Sequence, residues 1–77
     1  MHRIRTAQGQ FTDPEFESIA VRYFTDPLLR SLPGPTQVER LMNHAGVTAA
    51  QQDWARAVAQ RALTKVLLST QGRRRTL

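Results

Sequence analysis

The side chains that most often perform catalysis are scarce in this chain and stand far apart. It has no cysteine and two histidines, His2 and His44. Neither histidine has an obvious carboxylate or hydroxyl companion at helical spacing, and His44 falls on the polar side of a helix. The six carboxylates mostly lie in first turns of predicted helices, where capping and the helix dipole account for them. We therefore expect a protein that is not an enzyme.

Ligand-binding motifs are equally sparse. Two separated histidines without cysteines do not give the paired ligand spacings of a structural zinc site. The four glycines are isolated at positions 9, 34, 46 and 72, so no glycine-rich phosphate loop is present. The sequence predicts neither a metal nor a cofactor.

An aromatic and several cations share one edge of the last predicted helix. Trp54, Arg61, Lys65 and Leu68 follow one another at spacings of seven, four and three residues. Such a stripe is typical of a protein interface or a base-stacking surface, although a lone tryptophan in a small helical protein is more often part of the core. The predicted partner-binding residues are Trp54, Arg56, Arg61, Lys65, Leu68, Arg73, Arg74 and Arg75. The three consecutive arginines also fit a simple solvated tail.

Residues 37–58 loosely resemble a helix-turn-helix. Ala45-Gly46-Val47 would form the short turn, with Gln51, Gln52 and Arg56 as the predicted DNA-contacting residues. However, Gln52 stands where that motif normally has an apolar anchor, and the following helix is long for a recognition helix. A plain helical hairpin with Gly46 as its C-cap is the favoured alternative.

Charge is distributed unevenly along the 77 residues, which carry a net charge of +5. Residues 13–53 hold all six acids, whereas residues 54–77 hold six cations and no acid. This basic end favours a protein partner with an acidic surface, or nucleic acid, although it also serves solubility. The sequence has no apolar run long enough to predict a membrane span, and its start lacks the apolar region of a secretory signal. A cytoplasmic location is therefore expected.

The elements that must position these side chains are all predicted to be helical. Three capping boxes, Thr12–Glu15, Thr36–Glu39 and Thr48–Gln51, mark predicted helix starts. Pro33-Gly34-Pro35 is the strongest break and Gly46 a second one. Apolar periodicity then predicts helices at about 13–24, 26–32, 37–45 and 49–69, with Gly72 as the last stop.

The predicted fold is therefore all-α, a small bundle of three main helices plus one short helix with flexible basic termini. Residues 1–10 form a flexible arm in this prediction, 11–70 a single helical domain and 71–77 a basic tail. A domain of this size without disulfides is marginally stable, so self-association as a homo-oligomer is a further expectation.

The leading functional hypothesis is a small regulatory or inhibitory module that docks on a protein partner. Phage or plasmid origin, with action on host nucleic-acid or defence machinery, suits a small arginine-rich chain. The first alternative is direct DNA binding by a repressor or an excisionase-like protein. The second is a structural or assembly subunit.

Overall fold

The computed structural model describes the backbone of residues 3–75 and the side chains of residues 3–69. This part of the chain is mostly helical, which confirms the coarse fold class. Its elements are a short β-hairpin, three α-helices and two 3-10 turns, in the order β1 (Ile4–Thr6), β2 (Gly9–Phe11), α1 (Asp13–Phe24), a 3-10 turn (Pro27–Leu29), α2 (Gly34–Ala45), a 3-10 turn (Ala49–Gln51) and α3 (Gln52–Arg75).

The hairpin corrects the prediction of a flexible arm at residues 1–10. β1 and β2 pair antiparallel, with Ile4 opposite Phe11, and Ile4 is 0% exposed. The backbone N–H of Ala7 donates to the carbonyl of Ala45 at 2.9 Å, and that of Thr48 donates to the carbonyl of Arg5 at 3.2 Å. Each strand has three residues, too few for an alternating pattern to be visible in the sequence. The fold is thus only approximately all-α.

Helix α1 forms within its predicted bounds. Thr12 caps it, the Glu15 side chain reaches back to the Thr12 backbone N–H at 2.8 Å, and both halves of the capping box are present. Phe16, Ala20 and Phe24 are its buried residues. The next predicted helix, 26–32, shrinks to the 3-10 turn Pro27–Leu29, whose start Asp26 caps by accepting from the Leu28 N–H.

Helix α2 begins earlier than predicted, and its predicted capping box is wrong. Pro33 is the N-cap without a side-chain cap, so Thr36 lies inside the helix and Glu39 contacts α3 instead. The proline–glycine break supplies the start because Pro35 in the first turn needs no N–H partner. The predicted face of Val38, Leu41, Met42 and Ala45 is buried as expected.

The α2–α3 connection uses Gly46 as a left-handed C-cap with φ 67°. The third predicted capping box, Thr48–Gln51, is also wrong in form. Thr48 makes no side-chain cap, and its backbone N–H is bonded to β1 instead. A strand distant in sequence therefore takes the place of the local cap.

Helix α3 is the spine of the fold and packs against both other helices, most extensively against α1. Its alanines at 55, 59 and 62 are fully buried, which allows the close approach expected from the sequence. The predicted helix end at about residue 69, with Gly72 as the stop, is wrong. The helix runs through Gly72 to Arg75, because one glycine costs only about 1 kcal/mol in a helix. Side chains of the predicted tail lie outside the described residues. None of the described helices combines the length and apolarity that crossing a bilayer requires.

Candidate docking surface

The second half of α3 carries large apolar side chains that the rest of the fold does not cover. Leu63 and Val66 are buried, whereas Leu67 is 53% and Leu68 is 61% exposed. Leu67 lines a cavity together with Phe24, the last residue of α1. The exposed leucines make this part of α3 the strongest candidate for a contact surface.

A first cavity lies between the start of α2 and α3. Its volume is about 210 Å³, and it is lined by Gly34, Pro35, Val38, Gln60, Leu63 and Thr64. The absence of a side chain at Gly34 allows the α2 backbone to approach Leu63 closely, because a Cβ at this position would stand 3.3 Å from Cδ2 of Leu63. The start of α2 thus packs directly on Leu63.

A second cavity lies on the other side of Leu63, where α1, the first 3-10 turn and α3 meet. Its volume is about 100 Å³, and it is lined by Phe24, Arg30, Gln37, Leu63, Val66 and Leu67. Gln37 is buried and fixed, since its Nε2 donates to the carbonyl of Leu32 at 2.9 Å. We call the two cavities together the Leu63 groove.

The predicted stripe on α3 is partly occupied by contacts with α1. Nε1 of Trp54 donates to Oδ1 of Asp13 at 2.7 Å, and Nζ of Lys65 lies 2.8 Å from Oε1 of Glu17. Trp54 is 46% exposed, so it lies at the edge of the α1–α3 seam and not in the core as the common alternative expects. These two residues hold α3 on α1.

The remaining predicted partner-binding residues separate into different places. Arg56 lies on the α2 side of α3, with Nη2 2.8 Å from Oε1 of Glu39 and Nη1 3.6 Å from Oδ1 of Asp53. Arg61 is exposed and forms no ion pair with a described residue. Leu68 adjoins Leu67 on the uncovered part of α3. Arg73, Arg74 and Arg75 lie where side chains are not described.

The predicted DNA-contacting residues do not form one exposed surface. Oε1 of Gln51 accepts from the Arg5 N–H at 2.6 Å, and its Nε2 donates to the carbonyl of Arg3. Gln52 is exposed, and Arg56 is held by Glu39. Both ends of the Gln51 amide are therefore used to fasten the hairpin onto the second 3-10 turn.

Two titratable side chains of the described chain, Glu15 and His44, make contacts that stabilise the fold. Hydrogen bonds from the backbone and side chain of Thr12 hold the pKa of Glu15 below its ordinary value, with a smaller contribution from nearby Arg3. The ring of His44 lies 5.3 Å from that of Tyr23, centroid to centroid, in a tilted arrangement. Within the described residues, no three of His, Cys, Asp and Glu cluster as metal ligands would.

The Leu63 groove was missed by sequence reasoning. Leu67 stands at the side of the predicted apolar arc, and Pro33-Gly34-Pro35 marks a break, but only the tertiary structure brings them to the same surface.

Comparisons with protein-family models, curated proteins and solved structures find no match to the chain. The candidate surface is thus defined by its geometry.

Proposed function

We propose that this protein is a small non-enzymatic regulatory or inhibitory module that docks on a protein partner through the Leu63 groove and the adjoining Leu67 and Leu68. One observation carries the proposal: an apolar groove and two exposed leucines lie together on the middle turns of α3. Interfaces between proteins have such apolar centres, into which anchoring side chains of the partner insert.

The size of the cavities favours a protein over a small molecule. Pockets for drug-sized ligands occupy about 300–1,000 Å³, whereas these cavities measure about 210 and 100 Å³. Each suits a side chain of a larger partner, with the leucines extending the contact.

The side chains suited to base contacts support the same choice. Gln51 and Arg56 are engaged with the hairpin and with Glu39, so DNA binding through them would first require these bonds to break. The exposed leucines would contribute nothing to phosphate contacts.

Affinity capture with matched variants tests the proposal. Immobilised full-length protein is incubated with an extract of its source cells, and retained proteins are identified by mass spectrometry. We expect a partner that binds the wild type and Ala57→Asp but is lost with Leu67→Asp. Both variants place an aspartate on an exposed position of α3, and the two positions are about 15 Å apart along the helix.

The captured partner is then purified, and its affinity for the three proteins is measured by calorimetry. Circular dichroism checks that both variants remain folded. If no protein depends on Leu67, or if binding to duplex DNA is the sole activity and is unaffected by Leu67→Asp, the proposal fails.

A further inference from the structure

We infer that the segment seated on the Leu63 groove is an amphipathic helix of the partner that carries acidic side chains beside its apolar anchors. This inference deepens the proposed function and rests on it. The observations that point to this occupant are the spacing of the two cavities and the sign of the charges around them.

The spacing of the groove matches successive turns of a helix. From α3, the first cavity takes Gln60, Leu63 and Thr64, and the second takes Leu63, Val66 and Leu67. The two sets are offset by three residues, or about 4.5 Å along the axis. Apolar side chains at i and i+3 or i+4 of a docked helix are separated by a similar distance. One anchor would enter each cavity, on either side of Leu63.

One cation lines the groove, and a second lies on the exposed face of α3 outside the two cavities. Arg30 lines the second cavity, Arg61 lies one turn before Lys65 on the outer face of α3, and neither arginine has an ion-pair partner among the described residues. The sequence has no acid after Asp53. Glu17, which reaches this part of α3, is already paired with Lys65 at 2.8 Å. An acidic partner would therefore meet Arg30, a cation that no described residue neutralises.

The same charges disfavour a second copy of this chain as the occupant. In a symmetric dimer formed through this groove, the same surface of each copy would face the other, so both Arg30 side chains would lie in one interface, and like charges at an interface oppose association. A helix with glutamates at its flanks gives attraction at the same positions.

Two synthetic peptides provide the test with the full-length protein. Each has about 18 residues, with leucines at i, i+3 and i+7 on a helical face. The first carries glutamates beside the leucines, and its isomer carries lysines there. Binding is followed by ¹H–¹⁵N NMR and by fluorescence anisotropy at about 0.05 M and about 0.3 M salt, concentrations that bracket a Debye length of about 10 Å.

We expect the acidic peptide to shift the amides of Leu63, Leu67 and Leu68 and to bind at least about tenfold more tightly than the lysine isomer, a difference of about 1.4 kcal/mol. Leu67→Asp should abolish this binding, whereas Ala57→Asp should retain most of it, since Ala57 lines neither cavity and lies about 15 Å from Leu67 along α3. Arg30→Glu and Arg61→Glu should each weaken it several-fold, and more strongly at the lower salt.

The inference is overturned if both peptides bind equally, if neither binds, or if the shifts lie away from the groove. It is also overturned if anionic phospholipid vesicles or duplex DNA shift the same amides more strongly than the acidic peptide, or if sedimentation shows a dimer that Leu67→Asp dissociates. A captured partner that needs Leu67 but presents a basic or non-helical segment would end this inference and leave the proposed function standing. Absence of any Leu67-dependent partner would end the proposed function.

Discussion

Gln51 accepts a hydrogen bond from the Arg5 N–H and donates one to the Arg3 carbonyl. Its place near the start of the last helix could be predicted, but its partners lie nearly 50 residues away, beyond the reach of helical spacing rules. The same holds for Arg56 and Trp54, whose types suggest recognition and whose observed partners are Glu39 and Asp13. Residue type gave the chemistry of these side chains, and only tertiary packing gave their partners.

Trp54 tests this conclusion directly. Because the indole is about half exposed, we expect red-shifted emission typical of a hydrated indole and a loss smaller than the about 3–5 kcal/mol of a buried tryptophan when it is changed to alanine. A double-mutant cycle with Asp13→Ala should give a coupling free energy of about 1 kcal/mol from the lost hydrogen bond. Blue-shifted emission or zero coupling would contradict the observed contact.

Glu15 should make the stability of α1 depend on pH. Its pKa in the folded protein is lowered by the hydrogen bonds from Thr12, so ionised Glu15 stabilises the fold above the ordinary pKa of 4.5. That contribution is lost as the pH falls through the lowered folded pKa. Glu15→Gln keeps an acceptor but does not titrate, so the stability difference between it and the wild type should shrink in acid. Urea unfolding from about pH 7 to about pH 2 measures it, and a difference that stays constant would contradict the prediction.

At the scale of elements, prediction succeeded where the determinants are local. The Thr12–Glu15 box and the following apolar arc lie within one short segment, and α1 has its predicted bounds. The Thr48–Gln51 box was wrong because β1 supplies competing hydrogen-bond partners. The hairpin itself was missed for the same reason, since its burial depends on the distant α2–α3 connection.

The two predicted threonine caps, Thr12 and Thr36, should therefore respond differently to replacement by alanine. Thr12→Ala removes a cap and should cost about 0.5–2 kcal/mol. Thr36 is exposed inside α2, where alanine is the better helix former, so Thr36→Ala should be neutral or slightly stabilising. Chemical denaturation of the two variants measures both effects. Equal destabilisation would indicate that Thr36 caps α2 after all.

Gly46, in the connection between α2 and α3, packs against Ala7 of the hairpin and should tolerate no side chain. Alanine would have to adopt φ 67°, and its Cβ would stand 2.9 Å from Cβ of Ala7. The left-handed conformation alone costs about 1–2 kcal/mol, so Gly46→Ala should cost more than this. Adding Ala7→Gly removes the nearest clash and should recover part of the loss, as measured by denaturation. A double variant no more stable than Gly46→Ala would show that the hairpin does not press on this turn.

At the scale of the whole molecule, the fold measures about 43 × 24 × 18 Å. Contacts between α1 and α3 advance in the same direction along both, from Asp13–Trp54 through Glu17–Lys65 to Phe24 beside Val66. Asp13 of α1 lies at the start of α3 and Glu17 reaches Lys65, whereas α3 itself has no acid after Asp53. The sequence revealed this acid-free segment, whereas the groove on it required the fold.

Deleting residues 73–77 tests whether this basic end steers association. The deletion removes three arginines. Charges at the rim of an interface act mainly on the association rate, so the truncated protein should bind the acidic peptide with a slower on-rate and a nearly unchanged off-rate. Stopped-flow anisotropy at low and high salt should show the slowing fade as salt rises.

Duplex DNA provides the contrasting measurement. If the basic end instead bound phosphates, the slope of log affinity against log salt would fall by about 0.9 for each contact removed, and the deletion would flatten it by up to about three units on every sequence alike. We expect a slope near zero for the intact protein, because the exposed Leu67 and Leu68 cannot contact phosphate and Arg56 and Lys65 are already paired with Glu39 and Glu17. Tight duplex binding with a steep slope that the deletion flattens would assign the basic end to nucleic acid.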